Sequence, residues 1–110
     1  MRKSIRLLNA DGSSDIVIGT GGAYSVLLSA SGWSRQEDGS YTQTATIQGV
    51  SNTDRAVIDI NLSTATTSTY ATLQEAWLLV GRAYTVADGI TFVCYEGAPG
   101  ADISVNVEVL

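Results

Sequence analysis

Apolar and polar residues alternate with a period of two near the C-terminal end of the chain. Every second residue from 103 to 109 is isoleucine or valine, and the residues between them are Ser104, Asn106 and Glu108. Successive side chains of a β-strand point to opposite faces of its sheet, so this pattern predicts a final strand with one buried face. The segment 96–101, which holds the only proline, predicts the loop that precedes this strand.

A hairpin is predicted immediately before this loop. The pair Asp88-Gly89 can supply the left-handed backbone of a two-residue turn, and β-forming residues flank it on both sides. On the second strand of the hairpin, Phe92 shares a face with Ile90 and Cys94, and we expect that face to be buried. Cys94 has no second cysteine with which to pair, so we interpret it as a small core residue.

The same alternation predicts three further strands upstream. They cover residues 23–30, 41–48 and 56–62, and an acidic turn at 37–40 and a polar loop at 49–55 lie between them. Each of these strands has one face suited to a core. The side chains expected to point inward are Val26 and Leu28, then Tyr41, Ala45 and Ile47, and then Ala56, Ile58, Ile60 and Leu62.

One helix is predicted after the serine- and threonine-rich segment 63–70. Thr72 and Glu75 have the spacing of a capping box, and apolar residues recur at helical intervals until the helix ends near Gly81. Trp77 and the two leucines after it give the helix more apolar surface than one face can hold. We therefore expect the helix to cover an end of the fold or to lie in an interface.

This order of elements predicts an all-β fold, a mainly antiparallel β-sandwich of jelly-roll-like type with one short helix. The 110 residues suffice for one domain with one core. We assign the sandwich to residues 23–110 and an N-terminal arm or hairpin to residues 1–22, which end in a glycine-rich hinge. Short apolar runs in the arm, at 5–8 and 16–18, either complete the sandwich or leave it to pair with a neighbour.

Charge is distributed unevenly along the chain. Arg2, Lys3 and Arg6 are three of the six basic residues, so the chain from Leu7 onward has three basic and eleven acidic residues, a net charge of −8. Contacts to phosphate dominate nucleic-acid affinity and require clustered lysine and arginine, so we expect no nucleic-acid binding. The first apolar run is too short for a membrane span or a signal sequence, so we expect no membrane insertion and synthesis in a cytoplasm.

The residue inventory argues against catalysis. The chain has no histidine and a single cysteine, which removes nucleophile–base pairs and nitrogen or sulfur metal sites. Asp54 with Asp59, or Glu37 with Asp38, could serve glycoside hydrolysis as a carboxylate pair. The Glu37-Asp38 turn or Asp88 could likewise contact Ca²⁺, but neither has the ligand spacing of a known loop. Acidic turn residues are commonly just solvated, so we expect no enzyme activity, no metal and no cofactor.

Several segments together resemble a small β-sandwich module found in structural proteins of tailed bacteriophages that infect Firmicutes. They are the run GWSRQEDGSYTQTATIQGV at 32–50, AVIDI at 56–60, EAW at 75–77, and ADGITFVCYEGAPGADISVNVEV at 87–109. The similarity is one of strands and turns over residues 31–110, and it does not cover the arm. Such modules are similar to C-terminal domains of tail-fibre or baseplate components and of head-fibre proteins.

The resemblance implies a non-enzymatic virion component, a head fibre, capsid decoration, tail-fibre or baseplate protein that works by self-assembly, often as a trimer. Its partners would be copies of itself and other virion proteins, and it would be assembled in the host bacterial cytoplasm and reside in the virion. The candidate assembly contacts are Arg2, Lys3, Ile5, Arg6, Leu7 and Trp77.

A second hypothesis is a receptor- or carbohydrate-binding module. Aromatic rings can stack on sugar rings, and Trp33, Tyr41 and Tyr70 are the candidates for such a platform if they are exposed. Packing within the core is the commoner use of an isolated tryptophan, so both uses of Trp33 stay open from the sequence.

Overall fold

The structure, a computed structural model, describes residues 22–110. Within this range the chain forms seven β-strands and one α-helix, which confirms the predicted all-β fold of two sheets with one short helix. The elements are β1 (Gly22–Leu28), β2 (Ser34–Arg35), β3 (Tyr41–Thr46), β4 (Ala56–Ile60), α1 (Tyr70–Leu78), β5 (Val80–Val86), β6 (Gly89–Cys94) and β7 (Ile103–Val109).

Three strands form the first sheet, in the order β1-β7-β4, and both pairings are antiparallel. The predicted final strand is confirmed as β7, which lies in the centre of this sheet. Its alternate residues from Ile103 to Val109 are buried, and Asn106 and Glu108 are exposed on the opposite face. Val109 lies opposite Gly22 on one side and opposite Ala56 on the other, so the first residues of β1 and β4 stand in one row with it.

Four strands form the second sheet, in the order β2-β3-β6-β5, also with antiparallel pairings. Its central strand β6 is buried on both faces along its whole length. Phe92, Ile90 and Cys94 are fully buried, as the alternation predicts. Thr91 and Val93 are buried on the opposite face, where side chains of the neighbouring strands cover them.

The core lies between the inner faces of the two sheets. β7 supplies four of its side chains and β6 supplies Ile90 and Phe92. Ala76 closes it from α1, and the predicted polar loop 49–55 contributes the buried Val50. Burying this apolar surface is the main favourable term for a domain of this size.

The hairpin of β5 and β6 is confirmed, but its turn lies one residue earlier than predicted. Val86 pairs with Gly89, so the two turn residues are Ala87 and Asp88. Asp88 is the residue in the left-handed region, with φ 59°, and Gly89 begins β6. Hydrogen bonds to Asp88 stabilise this turn: its backbone N–H donates to Val50 O at 2.7 Å, and its carboxylate accepts from Gly49 N at 3.0 Å.

The predicted helix boundaries are wrong. The helix spans Tyr70–Leu78 with Thr69 at its N-cap position, so Thr72 is inside the helix and caps nothing. The Thr69 hydroxyl accepts a hydrogen bond from the Thr66 backbone N–H at 2.9 Å, and the preceding turn therefore fixes where the helix begins. At the other end the chain enters β5 at Val80, because Val80 pairs with Cys94 in the sheet.

The predicted arm lies outside the described residues, apart from Gly22, which is the first residue of β1. The arm or hairpin expected over residues 1–21, with its glycine-rich hinge, therefore stays a prediction. The same holds for five of the candidate assembly contacts, Arg2, Lys3, Ile5, Arg6 and Leu7.

Candidate functional site

A groove runs along one side of the sandwich, between the edge strands β4 and β5. It consists of two adjacent cavities, of about 360 and 280 Å³, that share Ala56, Ile58 and Ala83 as lining residues. We call it the side groove. Asp54 and Thr85 border one of its ends, and Trp77 and Val80 border the other.

The side groove exists because β4 and β5 end their sheets on the same side of the molecule with small side chains between them. Ala56 and Ala83 face the core but are too short to fill the space between the sheets. At one end the two edges are joined, since the Thr85 hydroxyl donates a hydrogen bond to Asp54 O at 2.9 Å. The result is an open groove whose lining combines apolar side chains with polar and charged groups.

The helix α1 presents two different apolar surfaces. Trp77 is half-buried, packs against the core and lines the side groove, which fits the predicted role of the helix in covering an end of the fold. Leu78 points the other way and is 78% exposed. Trp77, one of the predicted assembly contacts, therefore packs mainly within its own domain. The side chain of Leu78 is exposed and could contact a partner.

Two more large apolar side chains are exposed on the outer face of the first sheet. Leu27 on β1 is 59% exposed and Val57 on β4 is 55% exposed. They flank β7 from opposite sides, Leu27 opposite Ser104 and Val57 opposite Glu108. The outer face of this sheet therefore combines polar side chains on β7 with apolar side chains on the two edge strands.

The outer face of the second sheet carries a tyrosine pair with an arginine. The guanidinium of Arg82 lies 4.6 Å from the ring centroid of Tyr84, a cation–π contact. Tyr95 continues the alternation of β6 on the same face, and its ring lies against Gly81, where a Cβ would stand 2.9 Å from it. Tyr84 is 40% and Tyr95 55% exposed. We call Arg82, Tyr84 and Tyr95 the tyrosine face.

The aromatic residues predicted as a sugar platform lie on different elements. Trp33 is half-buried and packs against the core, and its Nε1 is shielded from solvent without a hydrogen-bond partner among the described residues. Tyr41 is half-buried in β3, between β2 and β6. Tyr70 is exposed at the start of α1, where its hydroxyl accepts a hydrogen bond from Gln74 at 2.8 Å. Only Tyr70 of the three is open enough for stacking.

The tyrosine face was not predicted from the sequence, although the chain contains a signal for it. Arg82, Tyr84 and Val86 alternate with Gly81, Ala83 and Thr85, a small-residue set suited to a tight interior. That alternation places Arg82 and Tyr84 on one outward face of a strand. The predicted helix end at Gly81 obscured this, because it assigned the first residues of β5 to a helix.

The carboxylates considered as catalytic or metal-binding candidates accept hydrogen bonds from residues close to them in the sequence. Asp38 accepts hydrogen bonds from Ser40, at 2.9 Å from its backbone N–H and 2.6 Å from its hydroxyl, and these bonds lower the pKa of Asp38 below its ordinary value of 3.8. Asp54 accepts from Ser51 N at 3.0 Å, and Asp59 from Ile60 N at 2.8 Å. Across residues 22–110, no three carboxylate or cysteine side chains are grouped as metal ligands.

Cys94 behaves as a core residue. It is fully buried, and burial raises the pKa of its thiol from 9.0 to about 11. The reactive form of a cysteine is the thiolate, so the folded protein keeps this residue unreactive at neutral pH.

Comparison of the chain with protein-family models, with curated proteins and with solved structures returned no match. Within the part of the chain that the structure describes, no helix is long and apolar enough to span a membrane.

Proposed function

We propose that this protein is a non-enzymatic structural module that acts by self-association. The observation that carries the proposal is the exposure of three large apolar side chains, Leu78, Leu27 and Val57. Exposed apolar surface of this kind favours burial against another protein surface. Leu78 lies on the helix and the other two on the first sheet, so each copy has two surfaces available for contacts.

The second part of the proposal is the context in which the module assembles. The strand and turn pattern over residues 31–110 resembles modules of tailed-bacteriophage structural proteins, and a closed homotrimer is the assembly that resemblance favours. The described body has nine acidic and three basic residues, so assembly through neutral and apolar surfaces avoids repulsion between copies. We therefore propose a virion component, a head-fibre, decoration, tail-fibre or baseplate protein.

Mass spectrometry of purified phage particles tests the virion context. Particles of the phage whose genome encodes this chain should contain the chain at a constant ratio to the major capsid protein. A matched preparation from a mutant that lacks the gene serves as the control. Absence of the chain from intact particles would reject the virion context without bearing on self-association.

Light scattering on single variants identifies the contact surface. Leu78→Ser should reduce the mass of the assembly if α1 forms the contact, and Leu27→Ser should do so if the first sheet forms it. Thr64→Ser, a conservative change in an exposed turn, is the control and should leave the mass unchanged. If both leucine variants kept the wild-type oligomer, neither surface would be the contact.

A second candidate function is carbohydrate binding at the tyrosine face. The specific observation is that Tyr84 and Tyr95 are exposed on one sheet face beside Arg82, a combination of stacking surface and hydrogen-bond donor. A glycan array with wild type, Tyr84→Ala and Tyr95→Ala tests it, and Tyr70→Ala on the helix is the matched control. Signals that disappear in the first two variants only would support this function, and no signal in wild type would reject it.

A further inference from the structure

The strands of the second sheet contain no acidic residue. Arg35 on β2 and Arg82 on β5 are their two charged side chains. Arg82 stands in the row of Val93 and belongs to the outer face, whereas Arg35 is opposite Tyr41 and belongs to the other face. The carboxylates nearest to these strands in sequence lie in connecting segments, at Glu37, Asp38, Asp88 and Glu96. The strands therefore place one positive charge on the outer face, within a described body that is acidic as a whole.

The guanidinium of Arg82 is held in place but is not neutralised. It lies 4.6 Å from the ring centroid of Tyr84, and within residues 22–110 no carboxylate forms an ion pair with it. Stacking uses the flat face of the guanidinium and leaves the N–H groups at its edge available for hydrogen bonds. Two such N–H groups in parallel match the two oxygens of a carboxylate. The positioned arginine is therefore suited to bind one carboxylate group of a ligand.

Tyr95 supplies a stacking surface beside this cation. The pairing of β5 with β6 shifts register between Val80 and Arg82, so Gly81 is the extra residue of a bulge. The Tyr95 ring lies against Gly81, where a Cβ would stand 2.9 Å from the ring. Tyr95 is 55% exposed. An exposed aromatic ring in a fixed position is suited to stack on the apolar face of a sugar ring.

Threonine hydroxyls continue the same face on the side away from the tyrosines. Two rows cross the sheet, Arg82 with Val93 and Thr42, and Tyr84 with Thr91 and Thr44. Each row covers two strand spacings, about 10 Å. The exposed Thr44 shares a hydroxyl–hydroxyl hydrogen bond of 2.8 Å with Thr91, and the Thr42 hydroxyl accepts one from Gln36 Nε2 at 3.0 Å. The face thus combines a cation, an aromatic ring and hydroxyl groups that can bond to sugar hydroxyls.

We propose that the tyrosine face binds a saccharide that carries a carboxylate, with the acid group on Arg82 and the apolar face of a sugar ring on Tyr95. The inference rests on the carbohydrate binding put forward for this face and adds the charge of the ligand. One guanidinium neutralises one negative charge, and the acidic body repels any further charge, so a carboxylate fits better than a doubly charged phosphate. Tyr84 is a positioning residue, because it holds the guanidinium.

Titration of the full chain by nuclear magnetic resonance tests the charge preference. The probes are sialyllactose and aldobiouronic acid, which have one carboxylate each, and the methyl esters of both, which have the same rings without the charge. We expect shifts of the backbone amides of β5 and β6. The acids should bind about fivefold or more tightly than their esters. This preference should decrease as the salt concentration rises.

Single variants assign the roles within the site. Arg82→Gln should bind acid and ester equally, because it loses the cation and keeps both rings. Tyr84→Ala should reduce the preference for the acid, because the guanidinium loses the ring that positions it. Tyr95→Ala should weaken the binding of acid and ester by the same factor. The matched control is Arg55→Gln, which removes the same charge from an exposed residue before β4 and should bind like the wild type.

The outcomes separate this inference from the function on which it rests. Equal affinity of the wild type for acids and esters, lost in Tyr95→Ala, would keep carbohydrate binding and overturn the charge preference. A preference for the acids that survives in Arg82→Gln would place the carboxylate elsewhere and overturn the inference. The absence of shifts with every probe would also overturn it, and the glycan array would then decide whether neutral sugars bind.

Discussion

Gly89 is required because another strand approaches it closely. A Cβ at this position would lie 2.6 Å from the backbone carbonyl oxygen of Ala45, and a backbone atom within a sheet cannot easily move away. The sequence places Gly89 in the turn for its conformational freedom, but the left-handed residue of that turn is Asp88. One sequence signal, Asp-Gly, thus contains two separate requirements, a positive φ at the first residue and space at the second.

We predict that Gly89→Ala destabilises the protein by about 1–3 kcal/mol, the usual cost of an overpacked site. Urea denaturation measures the change. Gly97→Ala is the matched control, because nothing lies within 4 Å of its added Cβ and its φ is not positive. That change should stay within about 0.5 kcal/mol of wild type. Equal effects of the two substitutions would show that β3 and β6 are not so closely spaced at this point.

Phe92 is the largest fully buried side chain among the described residues, and it lies in the centre of the second sheet. We predict that Phe92→Ala costs about 3–5 kcal/mol, because the substitution removes buried apolar surface and leaves a cavity. This is a large share of the 5–15 kcal/mol typical of a domain. Chemical denaturation should show the loss, with Thr64→Ser in an exposed turn as a near-neutral control. A variant as stable as wild type would mean that β6 has its faces reversed.

Burial of Cys94 makes the free energy of unfolding depend on pH in the alkaline range. Burial raises its pKa from 9.0 to about 11, so the folded state favours the neutral thiol. The stability that follows from this shift is fully present below pH 9.0 and is lost as the pH rises from 9.0 toward 11. We predict that Cys94→Ala loses less stability than wild type across that interval. Melting temperatures of both proteins at several pH values measure the difference, and parallel curves would contradict the assignment.

At the scale of single elements, the helix shows how local signals compete. Thr72 and Glu75 match a capping box, but Thr69 is the N-cap residue and Thr72 lies within the helix. In a segment with five threonines between 64 and 72, spacing alone cannot select the cap. The hydrogen bonds between Thr66 and Thr69 determine that Thr69 takes the N-cap position.

We predict that Thr72→Ala leaves stability unchanged or raises it by a few tenths of a kcal/mol, since alanine is the better residue inside a helix. Removing a true N-cap would instead cost about 1 kcal/mol. Thermal denaturation separates the two results. A loss of the larger size would restore Thr72 as the cap and would move the start of α1 three residues toward the C-terminus.

Strands were easier to predict than sites, for a physical reason. The strand β7 follows from its own alternation, because one face must meet the core wherever the strand lies in the sheet. The exposure of Trp33 and Tyr84 depends instead on which strands become neighbours, a property that no local pattern contains. The sequence therefore could not decide whether Trp33 lies in the core or on the surface. It also could not predict the side groove, because that groove requires β4 and β5 to lie on the same side of the sandwich.

At the scale of the whole molecule, the two sheets differ in how completely they are covered. β6 is buried on both faces, whereas the outer face of the first sheet carries exposed Leu27 and Val57. The side groove and the helix with Leu78 add two further places at which apolar groups remain accessible. These features give the isolated domain a surface that association can bury, and they are the basis of the proposed structural role.

Sedimentation equilibrium of the full chain at micromolar concentrations tests that role most directly. We predict a single defined oligomer, with a trimer favoured, whose dissociation on dilution follows mass action. Leu78→Ser or Leu27→Ser should shift the equilibrium toward the monomer, while Thr64→Ser should not. A chain that sediments with the mass of one copy at every concentration would contradict the proposal that this protein functions by self-association.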